Sequence, residues 1–481
     1  MPFLAYTQHH LPMNSNISNK QLGDIGIIGT QAARWIVLAI VSFVMMTGYV
    51  VAKEMSPLQY FLQLPVSQGG LGWSGSEFGL FAGSRGFFNV FFLMLFVSGI
   101  VLDKMGVRFS GALSCILMLA GTLIDYVAIT QVSPAPTVSF SIPLFGIDYD
   151  AVKIQVLAAA MGFAVFGIGY ELCGIVVSKI IVKWFSGKEM ALAMGIQVAM
   201  ARLGTALALG CGPILATKYQ LSTPIMVGLV SVALGLLCYF FYCGMDRSLD
   251  AAQKVKRQDN ADDDGFHFSD LRTTLKSGGF WLITILCLLY YSALYPFLDF
   301  ATSLMITKYG FDAHLAGLIP AILPFTSIVL TPLFGTIYDH IGRGATIMIL
   351  GTALLTVVLV VFALPFDAQW IAIALMLVLG IAFSLLPSVL WPAVPKIVPL
   401  KQLGTAYSII YYIQNIGLMI VPIVIGGIIE HDTIGGTTDY SGAMWCFAAI
   451  GCAAVLVSVC LFIKDKKADY GLENANMTSK K

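Results

Sequence analysis

Charge is what this sequence has least of. Asp, Glu, Lys and Arg make up 11% of its 481 residues, against roughly 25% in an ordinary soluble domain. A net charge of +1 gives no electrostatic reason to expect a nucleic-acid partner. Histidine is also sparse: the six are scattered over tails and loops without metal-ligand spacing, so no metal or other cofactor is expected. The nine Cys all fall within apolar runs or at their ends, where a thiol is usually a small packing residue. There is no nucleotide-binding loop, and no Ser–His or Glu–His arrangement sits at one membrane depth; an ATP-driven pump and an intramembrane enzyme are not expected. The first 33 residues show no short apolar core followed by a small-residue cleavage site, so no signal peptide is read there.

What is present is apolar length. The mean hydropathy is +0.85, and runs of about 20 apolar residues, each enough to cross a bilayer as a helix, recur along the chain. Twelve spans are predicted at 34–53, 78–101, 109–130, 156–182, 190–215, 222–244, 279–305, 314–337, 345–365, 369–392, 403–428 and 440–463. The runs are continuous rather than alternating, which excludes a β-barrel. The fold class is therefore an all-α membrane protein. An even number of spans puts both termini on one side. Assigning that side to the cytoplasm leaves only Lys53, Lys153, Lys218 and Lys308 on the far side, with Arg85 and Arg202 inside the membrane. Both termini are expected in the cytoplasm.

The stretch between spans six and seven is polar and charged, and reads as a cytoplasmic linker with a short amphipathic helix near Phe266–Leu275. It divides the chain into a tail (1–33), a six-helix bundle (34–245), the linker (246–277), a second six-helix bundle (278–464) and a tail (465–481). A motif repeats across that divide. "GIVLDKMGVR" contains Gly99, Asp103, Gly106 and Arg108; "GTIYDHIGR" contains Gly335, Asp339, Gly342 and Arg343. Each stands after the second span of its half. The leading Gly suggests close helix contact, and the Asp a partner for the loop's basic residues or for a helix N-terminus. Twelve spans, a central linker and this duplicated loop resemble the major facilitator superfamily over essentially the whole chain. The resemblance implies two six-helix bundles around a midplane site that opens to one side at a time, with the two loops stabilising the outward-facing state through cytoplasmic contacts.

The remaining signal is charge where charge is costly, ~3 kcal/mol at the bilayer centre. Glu171, in "GIGYELCGIV" of span four, and Arg202, in "GIQVAMARLGTAL" of span five, lie at similar depth on an antiparallel helix pair. Two readings follow from the residues: a structural ion pair, or two cavity groups holding a substrate that carries both an ammonium and a carboxylate. Arg suits the carboxylate because its fork donates two parallel hydrogen bonds.

The context "WFSGKEMALAMGIQVAMARLG", the "YPF" of Tyr295–Phe297 and the block "LWPAVPKIVPLKQLGTAYSIIYYIQNIGL" are similar to the lysosomal dipeptide-carrier branch of the superfamily. That resemblance implies a dipeptide transporter in which Glu171 holds the peptide amino terminus and Arg202 its carboxylate. Trp391, Gln414, Asn415, Tyr411 and Tyr412 are candidate wall residues from the matched block. Arg85, Asp299 and Asp125 are extra intramembrane charges without a place in that pattern; Arg85 could pair with Glu171, Asp299 or Asp125. Lys53 and Glu54 read as interfacial, and the spare acids leave both uniport and proton symport open. The alternative is a small-anion carrier, for nitrate or a dicarboxylate, using Arg85 and Arg202. The expected partners are a dipeptide and the lipid bilayer, for a monomer. The N-terminal tail shows no acidic dileucine signal, so a bacterial inner membrane is expected rather than a lysosome.

Overall fold

The computed structural model describes residues 31–142, 147–185, 189–254, 275–399, 402–434 and 437–476. Residues 1–30 of the expected N-terminal tail and residues 266–274 of the helix expected near Phe266–Leu275 lie outside the described residues. Span one is α1 (Gln31–Glu54), followed by a 3₁₀ turn (Ser56–Leu58) and a short α2 (Gln59–Gln63). Spans four to twelve are single helices: α6 (Ile154–Phe185), α7 (Met190–Lys218), α8 (Thr223–Lys254), α9 (Gly278–Thr307), α10 (Leu318–Ile341), α11 (Gly344–Ala363), α12 (Gln369–Ile397), α13 (Leu403–His431) and α14 (Ser441–Ala468). The protein is a multi-pass membrane protein built almost entirely of helices.

Span two is where the apolar pattern misleads. It is broken into α3 (Gly75–Ser84), α4 (Phe87–Phe91) and the start of α5 (Met94–Gln131). Leu93, at φ 52°, interrupts the run, and Gly106, at φ 76°, divides α5 between spans two and three. Neither break changes hydropathy, so neither shows in a window of apolar residues. A β-hairpin, β1 (Thr137–Ile142) and β2 (Ile147–Lys153), joins spans three and four. No strand is expected there from the sequence. α8 runs to Lys254, well into the predicted linker.

The two halves meet mainly at the side opposite the termini, called the far side below. α3 crosses α13 where a Cβ added to Gly79 would strike the Pro422 carbonyl oxygen and one added to Gly426 would strike the Gly79 Cα. Only glycine lets these backbones approach so closely. A capping box starts α3: the Ser74 side chain accepts from Glu77 N at 3.2 Å, and Ser74 N donates to Glu77 Oε2 at 2.9 Å. The same helix end receives Glu430 of α13, whose Oε2 accepts from Ser74 Oγ at 2.7 Å and Ser76 N at 2.9 Å. α7 packs on α10 nearby, with Thr217 Oγ1 2.5 Å from His314 Nδ1. Among the described residues, α6 and α7 make no comparable contact with α12 and α13 toward the other side.

The duplicated loops share one backbone feature: Gly106 and Gly342 both take positive φ, 76° and 75°. Their side-chain partners differ from expectation. Asp103 pairs with Lys179 of α6 at 2.7 Å rather than with its own loop. Arg108 pairs with Asp250 (2.8 Å) and Asp246 (3.4 Å) at the end of α8, where Lys183 joins them. Asp339 accepts from Asn476 at 2.8 Å. Neither Gly99 nor Gly335 lies at a helix contact; a Cβ on either would meet nothing within 4 Å. The start of the C-terminal tail is not free. Glu473 O accepts from Arg343 N (2.8 Å), its carboxylate accepts from Thr346, and Leu472 is buried.

Candidate substrate site

Arg202 sits on α7 facing α9 and α12. Its Nη1 donates to Tyr295 Oη at 2.8 Å, and its guanidinium lies 4.2 Å from the centre of the Phe383 ring. No carboxylate stands within 4.0 Å of it among the described residues. Tyr49 and Tyr291 are its other close ionisable neighbours. The guanidinium is therefore held in place by uncharged aromatic groups, with most of its five N–H donors left over.

Glu171 sits on α6, and its charge, like that of Arg202, bears on Tyr49 of α1. It too forms no ion pair within 4.0 Å among the described residues. Its neighbours are the Asn415 side chain, within hydrogen-bonding reach, and Arg85, the nearest cationic side chain bearing on it. Tyr49 feels both Arg202 and Glu171 and packs edge-on against Tyr170 at 5.1 Å. The direct Glu171–Arg202 ion pair, one of the two readings of the sequence, does not form.

The block in spans ten and eleven supplies part of the wall. Trp391 stacks on Tyr411 at 5.0 Å and donates Nε1–H to Tyr291 Oη at 3.3 Å; Tyr291 in turn stacks on Tyr295 at 5.6 Å. Asn415 donates to Tyr411 O at 3.0 Å and reaches Glu171. Gln414 is turned inward to Cys287 at 3.4 Å. Tyr412 points to the other half, where its hydroxyl donates to Val90 O at 3.2 Å. Tyr411, not Tyr412, belongs to the aromatic wall, because successive helical positions point about 100° apart. Sequence reading missed Tyr49, Tyr170, Tyr291 and Phe383, and gave Tyr295 no role. Aromatics occur in every predicted span except span five, and nothing in their spacing singles these out.

Asp299 is not a spare acid. It forms an ion pair with Lys53 of α1 and accepts from Ser56 Oγ at 2.6 Å, while Lys53 also donates to Tyr295 O at 3.0 Å. Lys53 is 3% exposed rather than interfacial. The pair joins the two halves directly beside Arg202's partner. Arg85 lines the same narrow pocket as Lys53 and Asp299, lies 5.5 Å from the Tyr170 ring, and has no carboxylate within 4.0 Å among the described residues.

A profile of the Major Facilitator Superfamily matches residues 38–422 and 300–478. The chain belongs to the Major Facilitator Superfamily. It is 31% identical over 279 residues to the human (Homo sapiens) "Lysosomal dipeptide transporter MFSD1", a match covering 56% of this chain and 58% of that protein. It is 30% identical over 331 residues to the Danio rerio protein of the same name, covering 67% and 69%. The match thus spans under two thirds of the human relative. A solved nucleoside transporter, NupG, aligns with a TM-score of 0.66 at 15% identity, over 89% of this chain and 99% of that one, which shows a shared fold. The lysosome in the relatives' names differs from the bacterial inner membrane expected from the N-terminal tail.

Proposed function

We propose that this protein is a transporter of dipeptides, working by alternating access between its two six-helix halves. The observation that carries the reading is Arg202: a half-buried guanidinium fixed by Tyr295 and Phe383, with no carboxylate within 4.0 Å among the described residues. A peptide carboxylate supplies that counter-ion through two parallel hydrogen bonds. Glu171, beside Asn415, receives the ammonium at the other end. Two residues in extended form span at most ~7 Å, so a fixed cation and a fixed anion select length. Trp391, Tyr411 and Tyr291 offer flat apolar faces to the side chains, and such faces read shape loosely. The names of the MFSD1 relatives agree with this substrate class.

Both termini are assigned to the cytoplasm on the bias of basic residues. In that frame the structure is the state closed to the far side, sealed by Lys53–Asp299, Glu430 and the α3–α13 crossing.

A second reading is favoured by Arg85, also without a carboxylate at ion-pair distance: two cations, Arg85 and Arg202, binding a small anion. Uptake into proteoliposomes decides. Arg202→Ala abolishes dipeptide uptake while the protein remains folded in the membrane; unchanged transport by that variant ends the proposal. Glu171→Gln weakens uptake of free-amino peptides far more than of N-acetylated ones. Competition by nitrate or oxalate, with none by dipeptides, selects the anion reading.

A further inference from the structure

Arg85 is the cation that the Arg202–Glu171 clamp leaves unused. It stands with Gly86 at the break between α3 and α4, and two close approaches fix the backbone there. A Cβ on Gly167 of α6 would strike the Arg85 carbonyl oxygen, and one on Gly86 would lie 3.3 Å from Asn415 O. Gly167 comes one helical turn before Glu171, and Asn415 is the amide beside Glu171. Arg85 thus belongs to the Glu171 end of the site, with its guanidinium carbon 5.5 Å from the centre of the Tyr170 ring. No carboxylate of the described residues lies within 4.0 Å of it.

Its surroundings narrow the choice of ligand. Arg85 lines a narrow pocket with Lys53 and Asp299, and Phe78, Phe81 and Phe163 form apolar sides, with Phe81 stacked on Phe163 at 4.7 Å. Tyr295 lines the same pocket while its hydroxyl holds Arg202, so the pocket adjoins the substrate site. Lys53 and Asp299 satisfy one another, helped by Tyr295 O and Ser56 Oγ. Arg85 has no such match. Pocket and clamp together hold three cations, Arg85, Lys53 and Arg202, against two anions, Glu171 and Asp299. Glu54 and Asp125 do not enter this count. They are 3% and 1% exposed and press on Gly228 and Gly162 inside the N-terminal half, outside the pocket's lining. A dipeptide with neutral side chains carries one charge of each sign and leaves the excess cation in place when the site closes over it. An isolated charge held away from water is costly, and one further carboxylate cancels it.

We propose that Arg85 receives the side-chain carboxylate of an acidic first residue, which makes the protein selective for dipeptides beginning with Glu or Asp. The inference rests on the dipeptide reading above and adds a third point of attachment to it. The first residue is the one concerned because its ammonium and Arg85 share the Glu171 end of the site. The phenylalanine rings take the methylenes of such a side chain and offer it no polar partner, so the guanidinium alone reads its end. A carboxylate accepts two parallel charged hydrogen bonds from that fork. The matching amide has one acceptor oxygen, carries no charge, and brings an NH₂ that the guanidinium cannot accept from.

Calorimetry on the purified full-length protein at neutral pH tests this with peptide pairs that differ by one charge: Glu-Ala against Gln-Ala, and Ala-Glu against Ala-Gln. In the wild type Glu-Ala binds at least about tenfold tighter than Gln-Ala, the scale of a hydrogen bond to a charged group, while the second pair bind alike. Arg85→Gln brings the Glu-Ala to Gln-Ala ratio close to one. Arg85→Lys, which keeps the charge and loses the fork, leaves an intermediate ratio and decides the matter should the glutamine variant fail to fold or to bind peptide. An arginine that only supports the fold moves both members of a pair together and leaves the ratio as it is. Equal binding of Glu-Ala and Gln-Ala by the wild type, a preference confined to the second pair, or a wild-type ratio that survives both substitutions overturns the proposal. So does binding of Gln-Ala that needs chloride in the buffer, since a free inorganic anion then fills the place given to the side chain. Equal binding of the acidic and amide peptides leaves the dipeptide reading standing; no binding of any of the four ends both.

Discussion

A guanidinium inside a bilayer is tolerable only when something repays its ~3 kcal/mol insertion cost. For Arg202 a desolvated cation–π contact of ~1–2 kcal/mol and a charged hydrogen bond of ~2 kcal/mol match that cost without a carboxylate. The side chain can therefore wait, charged and half-buried, for an anionic ligand. Lysine keeps the charge but loses the fork, so Arg202→Lys should bind dipeptide roughly tenfold or more weaker, measured by calorimetry on purified protein. Tyr295→Phe removes only the group that aims the fork; it should raise KM several-fold with little change in kcat. Arg202 and Glu171 were legible in the sequence because charge is so rare in it that each instance asks for a reason. Lys53 was not. A lysine at the end of a span normally extends its stem toward the headgroups, and only the fold places Asp299 of α9 within its reach. The tyrosine wall was equally hidden, since nothing local distinguishes Tyr49 or Tyr291 from other aromatics on their helices.

At the scale of elements, the far side is held by a few specific contacts between helices of opposite halves. The Lys53–Asp299 pair is buried, and removing one member of such a pair typically costs about 3–5 kcal/mol because the other is left uncompensated. Asp299→Asn should therefore shift the protein by more than about a hundredfold toward the far-side-open state, read as a longer distance between spin labels on the exposed far-side positions Val66 and Leu315. Replacing both partners with Met restores much of the closure if the charge, not the contact area, is responsible. Gly79→Val acts by another route: a branched side chain cannot fit against the Pro422 carbonyl, and α3 must stand off from α13. The same lengthened distance is expected, without any dependence on salt. The spans themselves were readable because about 20 apolar residues have few other uses. The breaks in span two were not, because Arg85, Gly86 and Leu93 interrupt helix geometry inside a run that stays apolar on average. The hairpin at Thr137–Lys153 is amphipathic only weakly and pairs with itself, which leaves no trace in a pattern scaled to helices.

At the scale of the whole molecule, the proposed carrier needs one cation, one anion and a two-part body. The duplicated loops, with Gly106 and Gly342 both at positive φ, carry the internal repeat from sequence into structure, although their Asp partners differ. If the halves rock about the midplane, labels on Met105 and Ile341, exposed on the terminal side, should approach one another as Val66 and Leu315 separate. Dipeptide should speed the exchange between the two arrangements. The most direct test of the central claim is the thermal stability of the purified wild-type protein against a matched ligand set. A free dipeptide raises the melting temperature by mass action, while the same peptide with an acetylated amine, an amidated carboxylate, or both does so progressively less, and nitrate or oxalate has no effect. Equal stabilisation by free and doubly blocked peptides, or stabilisation by the inorganic anions alone, would contradict a clamp built from Arg202 and Glu171.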